Sequence, residues 1–370
     1  MKLQRAAPTL LPLLLLPLLW ISCGPGLRII EPSYIAQLSS FTLAQEIAVP
    51  ATYRMGQIQI RDEVAYINSN LASGEVYFHT LTVPTAETAS YLAVSATTGV
   101  GSWGGPIQFY GNLMYHIGWC CRFHSWDISD PSAIVVSHTD ATNTPFANSA
   151  MGFKILGTNA YVVSAQNVLQ SNLQVLSLTN PTNPETVVGS VLLPVNSGQM
   201  NLVLSSTRAY VKSRALDKLY TVDISDPAAP THLSSVNTGS QIPGDLDQSA
   251  DIAISGNYVY VAEYGANQVE VFSITDPDQP TLVQTLATSG KPMNLAIDSD
   301  TLFVVTHNAD ELLAYNITDP TNISLLSSIA TVDQPSGLGI VPGETAVVSS
   351  FTEPRIHIFK LNYQYVEVEQ

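Results

Sequence analysis

The chain has 370 residues, a net charge of −16, and a composition that is 45% hydrophobic and only 12% charged. A chain this apolar can bury a large core, which disfavours extensive disorder, and its length suits two ordinary domains or one large repeat array. Only 14 lysines and arginines are present, so the clustered positive charge that nucleic-acid binding needs is missing and no nucleic-acid partner is expected.

The first 23 residues have the character of an export signal. Lys2 and Arg5 precede an apolar run over 6–21 that three prolines interrupt. This run is shorter than the about 20 unbroken apolar residues that a membrane-spanning helix requires. We therefore predict a signal peptide over 1–23, followed by a short tether over 24–33.

The end of this signal carries a second feature, the segment Trp20-Ile21-Ser22-Cys23-Gly24. It resembles a bacterial lipoprotein signal, in which a small residue precedes the cysteine that is acylated, although Trp20 stands where leucine is usual. The resemblance implies lipidation at Cys23 and an outer-membrane or cell-surface lipoprotein that meets the membrane through its lipid anchor only. The alternative is ordinary cleavage nearby, which would leave a periplasmic or secreted protein.

One motif recurs through the rest of the chain: an alternating apolar strand, then Ile or Leu, Ser or Thr, Asp or Asn, and Pro. Five clear copies and two degenerate copies are WDISDP at 126–131, LSLTNP at 176–181, VDISDP at 222–227, FSITDP at 272–277, YNITDP at 315–320, HTLTVP at 79–84 and FKLNYQ at 359–364. Successive copies lie 43–50 residues apart, a period typical of one propeller blade. Seven copies predict seven blades.

The chemistry of the motif explains its place at the end of a strand. Strand alternation buries the aliphatic residue, the Asp or Asn side chain can accept a hydrogen bond from the backbone two residues on, and Pro presets the turn. In one full unit, four strands are predicted at 293–298, 301–306, 311–317 and 323–331, the third of which carries the motif. The predicted fold over 34–370 is therefore an all-β, seven-bladed β-propeller of four-stranded antiparallel blades.

A propeller must also close its ring. The segment YIAQLSSFT at 34–42 has the pattern of an additional strand before the first full blade, and YVEVEQ at 365–370 competes with it for the same place. We predict that the N-terminal strand closes the ring.

Repeats of this form, with a second proline three residues on at Pro184, Pro230 and Pro280, resemble those of the LVIVD-repeat proteins and, more loosely, the YVTN-type surface propellers. The resemblance spans residues 60–364. It implies an exported bacterial or archaeal protein at the cell surface. The activities of such proteins are mostly unassigned, and a fold does not by itself imply a function.

In four-stranded blades the loops that enter the inner strands and the hairpins between second and third strands share one face. The first candidate site on that face is Cys120-Cys121, at the hairpin tip of blade two beside Trp119. Export favours oxidation, so a disulfide between the two is expected. A soft metal bound with His116 or His124 is the alternative, and Trp119 is a candidate for an aromatic binding surface.

Two further candidate sites follow along the chain. Asp245, Asp247 and Asp251 lie in the loop GDLDQSAD at 244–251, with Glu263 at the end of the next strand. Carboxylate oxygens suit Ca²⁺, so these four are candidate calcium ligands, with a solvated acidic loop as the alternative. Polar residues at the ends of the second strands are expected to ring the channel mouth: Asn68, Ser164, Arg214, Glu263 and His307.

No G-x-S-x-G, H-E-x-x-H, P-loop or dinucleotide motif is present. Together with export and repeat regularity, this favours a non-catalytic module that binds an envelope or extracellular protein or glycan. The alternative is a periplasmic or surface metal-assisted hydrolase or oxidoreductase at the channel mouth, because propellers can assemble sites from distant blades. Its candidate residues are Asp245, Asp247, Glu263 and His307.

Overall fold

The computed structural model describes residues 33–49, 54–70, 75–101, 105–118, 122–139, 150–167, 170–180, 186–193, 200–213, 217–239 and 251–368. Within these ranges nearly all regular structure is β-strand, and one 3-10 turn occurs at Tyr264–Ala266. The chain divides into two compact units, residues 1–36 with 365–370, and residues 37–364. The first holds the two ends of long strands, and the second holds the propeller.

Seven four-stranded antiparallel sheets form the blades, each ordered from an inner to an outer strand. The first three blades are β2 (Arg54–Arg61), β3 (Val64–Asn70), β4 (Glu75–Thr82), β5 (Ser90–Gly101); β6 (Ile107–Tyr110), β7 (Leu113–Gly118), β8 (Arg122–Asp127), β9 (Val135–Thr139); and β10 (Ala150–Leu156), β11 (Asn159–Asn167), β12 (Gln170–Ser177), β13 (Val187–Leu193). The next three are β14 (Met200–Leu204), β15 (Arg208–Ser213), β16 (Lys218–Asp223), β17 (Thr231–Asn237); β18 (Ile252–Ser255), β19 (Tyr258–Glu263), β20 (Gln268–Ser273), β21 (Thr281–Ala287); and β22 (Pro292–Asp298), β23 (Thr301–Thr306), β24 (Glu311–Asn316), β25 (Ser324–Ala330). The predicted architecture is confirmed.

The seventh blade joins the two ends of the chain. Its order is β26 (Pro335–Val341), β27 (Thr345–Ser350), β28 (Arg355–Val368) and then β1 (Ser33–Ala48) as the outer strand. The Oγ of Ser39 donates to the carbonyl of Asn362 at 3.0 Å, and the amide of Asn362 donates to Thr42 Oγ1 at 2.9 Å. Closure by the N-terminal strand is confirmed, and the C-terminal residues expected to compete continue β28 instead.

The repeat motif acts as its chemistry predicts. All seven of its aliphatic residues are buried: Leu81, Ile128, Leu178, Ile224, Ile274, Ile317 and Leu361. In the copy at 222–227, the Asp223 carboxylate accepts the Ser225 N–H at 2.8 Å and the Asp226 carboxylate accepts the Ala228 N–H at 2.9 Å. These hydrogen bonds turn the chain from the third strand toward the outermost strand.

The first two strands of blade seven contact the inner strand of blade one. The Oγ of Ser336 donates to the carbonyl of Met55 at 2.6 Å, and the Oγ of Ser349 donates to that of Gly56 at 2.9 Å. A Cβ at Gly337 would overlap the same Gly56 carbonyl, so the close approach of these blades requires glycine. In the part of the chain that is described, no helix is long and apolar enough to cross a bilayer.

Candidate functional site

The inner strands surround a central channel of about 450 Å³ to which all seven blades contribute. Because each inner strand starts at the face that carries the entry loops, residues at its beginning lie nearest that mouth. The second strands run back toward the same face. Residues at their ends and in the hairpins that follow therefore lie beside the mouth.

Three polar residues at the beginning of inner strands join blades four, five and six. The carboxylate of Asp251 accepts the Asn201 amide at 2.9 Å and the Asn294 amide at 3.4 Å. It also accepts the backbone N–H of Ile252 at 2.9 Å and of Leu295 at 3.2 Å. Burial raises the pKa of Asp251. The positive charge of Lys154 in the channel opposes this rise, as do the hydrogen bonds from Ile252, Leu295 and Asn201. Asp251 thus ties three blades together.

A buried ion pair lies between blades four and five. The Lys212 ammonium donates to Glu263 and, at 2.6 Å, to Thr238 Oγ1, and the side chains of Lys212 and Glu263 are 3% and 0% exposed. Burial raises the pKa of Glu263 to about 7, and the attraction of Lys212 limits the rise. Nearby, the Glu270 carboxylate accepts the Gly239 N–H at 2.9 Å. Glu263 is therefore part of the packing between two blades.

A row of aromatic and basic side chains follows the consecutive blades five, six, seven and one beside the mouth. The Lys291 Nζ lies 4.7 Å from the centre of the Tyr264 ring, and the His307 ring centre lies 6.1 Å from the same ring. On its other side the His307 ring is 6.2 Å from that of Phe351, over which the Arg54 guanidinium lies at 5.4 Å. We call these five residues the mouth row.

The imidazole of His307 is held in a defined orientation within this row. Its Nδ1 lies 3.4 Å from the Pro335 carbonyl, which favours the tautomer with the proton on Nδ1. Burial lowers the pKa of His307, although the Pro335 carbonyl and the neighbouring Asp310 partly offset the shift. At neutral pH the half-buried ring is therefore uncharged and carries a lone pair on Nε2.

The other predicted site residues are scattered. Asn68 is buried and its amide donates to the Gly105 carbonyl at 2.5 Å, while Ser164 Oγ donates to Asn172 Oδ1 at 2.6 Å within blade three. His116 is buried, its Nε2 accepts the Gly105 N–H at 3.1 Å, and desolvation lowers its pKa to about 3. Seven candidates lie outside the described residues: Cys23, Trp119, Cys120, Cys121, Arg214, Asp245 and Asp247.

The predicted calcium ligands do not come together in the described part of the chain. Asp245 and Asp247 lie outside it, while Asp251 faces amide donors in the channel and Glu263 faces Lys212. No group of three or more His, Cys, Asp or Glu side chains that could hold a metal is found among the described residues. The structure assigns these two carboxylates to hydrogen bonds between blades.

Sequence reasoning identified His307 but missed the rest of the mouth row. Lys291, Tyr264, Phe351 and Arg54 come from four blades and carry no shared motif. Their positions in the repeat are the feature by which they could have been found: each residue precedes an inner strand, begins one, or follows a second strand. Aligning all seven blades at these positions would have drawn attention to them.

Comparison with known proteins supports a propeller, and one of the matches is to a lactonase family model. A family model described as "Lactonase, 7-bladed beta-propeller" matches residues 197–341, which hold blades four to six and the inner strand of blade seven. No curated protein sequence matches this chain. The family match therefore concerns one part of the propeller, the part that contains Asp251, Glu263, Lys291 and His307.

Several solved structures share the fold at low sequence identity. A Lactobacillus plantarum protein is 17% identical over 78% of this chain and 88% of its own, with a TM-score of 0.60. A putative 6-phosphogluconolactonase from Bacteroides fragilis is 12% identical over 81% and 85%, with a TM-score of 0.59. A β-propeller domain from Myceliophteria thermophila is 11% identical over 87% and 100%, with a TM-score of 0.62.

These findings correct one expectation from the sequence. The prediction of a non-catalytic binding module is wrong, because the family match and the lactonase-like neighbour favour the hydrolase alternative. The chain belongs to the β-propeller proteins, with seven four-stranded blades.

Proposed function

We propose that this protein is a hydrolase that opens a lactone, a cyclic ester, at the mouth of its channel. The observation that carries the proposal is the match of residues 197–341 to the lactonase propeller family. The similarity in fold to a putative 6-phosphogluconolactonase is consistent with it. Within the matched segment, His307 and Lys291 are the pair best placed to act on an ester.

His307 has the properties of a general base. Its ring is half-buried, so that a substrate can reach it, and its Nδ1 is held at the Pro335 carbonyl. Burial lowers its pKa and keeps the ring neutral at physiological pH. Glu263, whose pKa is about 7, is 0% exposed and paired with Lys212, which makes it a poorer candidate.

The reaction follows from these positions. Nε2 of His307 takes a proton from water as the water oxygen bonds to the lactone carbonyl carbon. The negative charge that develops on the carbonyl oxygen is stabilised by the Lys291 ammonium, which lies against the same Tyr264 ring as His307. The ring C–O bond then breaks, and the departing oxygen takes the proton from the imidazolium. The product is a hydroxycarboxylic acid, which releases one proton at neutral pH.

The experiment is a proton-release assay with the purified full chain and a panel of five- and six-membered lactones. His307→Gln should lower kcat/KM by about a hundredfold or more, the usual contribution of a general base. His232→Gln is the matched control: this histidine lies on the outer strand β17 with its Nε2 at 3.0 Å from the Ser234 carbonyl. Equal activity in both variants, or no lactone hydrolysis by the unaltered protein, would refute the proposal.

We further propose that the protein is a surface lipoprotein of the LVIVD-repeat type, anchored through Cys23. The support is the signal ending at Ser22-Cys23 and the five clear copies of the repeat motif. Mass spectrometry of the mature N-terminus should find an acylated Cys23, and Cys23→Ser should move the protein from the membrane fraction to the soluble fraction. An unmodified terminus, or one beyond Cys23, would overturn the anchor.

A further inference from the structure

A second ring of channel residues lies two positions further along the inner strands than Asp251. In every blade the inner-strand residue pairs with a residue in the middle of the second strand. The pairs are Gln59 with Tyr66, Gln108 with Tyr115, Lys154 with Tyr161, Val203 with Tyr210, Ala253 with Tyr260, Ala296 with Phe303 and Gly339 with Val347. All seven inner-strand members line the channel.

This ring has two chemically different halves. Blades four to seven contribute small or apolar side chains, whereas blades one to three contribute two glutamines and Lys154. Packing of the repeat alone needs no polar side chain there, because four blades do without one. A place where one part of a repeat departs from the shared pattern is where a functional site is expected.

Lys154 is the positively charged side chain among the described residues that line this channel. Its charge opposes the rise that burial causes in the pKa of Asp251 across the channel, but among the described residues its ammonium makes no hydrogen bond and no ion pair, although the side chain is half-buried. A charge in a confined space is unfavourable unless a partner satisfies it. Asp251 is the other titratable side chain among the described lining residues, and four N–H donors already occupy its oxygens.

The two glutamines complete a polar arc. The side chain of Gln59 makes no hydrogen bond within the described part of the chain, and the side-chain amide of Gln108 uses one N–H to reach the Ile107 carbonyl at 2.7 Å. Their remaining amide groups can both donate and accept, which matches a hydroxyl group. The apolar arc opposite suits the carbon skeleton of a ligand. The volume of about 450 Å³ is within the range of small-molecule sites.

We infer that the channel is a binding site for a small hydroxycarboxylate, whose carboxylate bonds Lys154 and whose hydroxyl groups bond Gln59 and Gln108. This site is separate from the mouth row and is assigned from the channel lining, not from the proposed hydrolysis. The two assignments are chemically compatible, because opening a lactone yields a hydroxycarboxylate. Each can fail without the other.

The test is calorimetric titration of the purified full chain with sodium gluconate and with sorbitol, which has the same six-carbon chain of hydroxyls without a carboxylate. We expect gluconate to bind and sorbitol to bind at least about tenfold more weakly. Lys154→Met should weaken gluconate binding by about tenfold or more, and Lys154→Arg should restore most of it. Lys218→Met is the control, since Lys218 lies on β16 and bonds Asn237 at 3.1 Å.

Three outcomes would overturn the inference: no gluconate binding by the unaltered chain, equal binding in Lys154→Met, or equal binding of gluconate and sorbitol. Sulfate that competes as well as gluconate would also overturn it, because the site would then take anions in general. Thermal unfolding of each variant checks that the fold is retained. No turnover is measured, so a failure of the proposed hydrolysis leaves this result interpretable.

Discussion

Removing the buried side chains of the N-terminal strand should weaken the whole ring. Leu38 and Phe41 on β1 are 1% and 8% exposed, and the Phe41 ring lies 6.2 Å from that of Phe303 and 6.5 Å from that of Phe359. Truncating a buried Leu or Phe to Ala removes about 2–5 kcal/mol of stability. Because both side chains are nearly enclosed, we expect about 3 kcal/mol for each of Leu38→Ala and Phe41→Ala, a large fraction of the 5–15 kcal/mol typical of a domain.

Urea unfolding followed by circular dichroism measures this effect. Leu43→Ala is the matched control, because Leu43 is on the same strand but 45% exposed, and it should change the free energy of unfolding by less than about 1 kcal/mol. If Leu38→Ala and Leu43→Ala had equal effects, or if both buried variants lost less than about 1 kcal/mol, β1 would not be the strand that closes the ring.

Four more results are expected. If His307 acts as a neutral base, kcat/KM for lactone hydrolysis should rise with pH and then level off, with an inflection below 6.5 because burial lowers the pKa of His307. Initial rates measured from acid to neutral pH test this. An inflection above 6.5 would mean that another group is the base. Burial raises the pKa of Glu263 from 4.5 to about 7, so the folded chain binds the proton of this carboxyl group more tightly than the unfolded chain does. The free energy of unfolding should therefore fall as the pH rises from about 4.5 to about 7. Glu263→Gln should flatten this fall in unfolding measured at pH values across this range, and an unchanged slope would contradict the shift. Asp251→Ala should lower the free energy of unfolding by about 2–4 kcal/mol, since four hydrogen bonds are lost and three of them join Asp251 to the neighbouring blades. A change in the urea midpoint too small to resolve would mean that these hydrogen bonds contribute little. Gly337→Ala should destabilise by about 1–3 kcal/mol, because its Cβ would overlap the Gly56 carbonyl, and an unchanged midpoint would show that blades one and seven separate easily.

The blade architecture was predictable because its determinants are local. In the copy at 222–227, Ile224 is buried by strand alternation, and Asp223 and Asp226 turn the chain through hydrogen bonds to residues two positions on. Such contacts depend only on neighbouring residues, so each copy of the motif reports the same structure. Repetition at one period then establishes both the class of fold and the number of blades.

The candidate site was only partly predictable. His307 was identified as a polar residue at the end of a second strand, whereas no motif or position in the sequence drew attention to Lys154. Glu263 and Asn68 were expected at the mouth but are buried against neighbouring blades. Nothing local distinguishes a strand end that faces solvent from one that a neighbouring blade covers.

By itself, the sequence determined the all-β fold, seven blades and the turn chemistry, because all of these follow from contacts within one repeat. Only the tertiary structure decided which residues meet in the channel and at its mouth. Asp251 bonds Asn201 and Asn294, which are 50 and 43 residues away, about one blade in each direction. The physical reason is that a closed ring brings equivalent positions of every blade to one axis, so that residues a full period apart become neighbours.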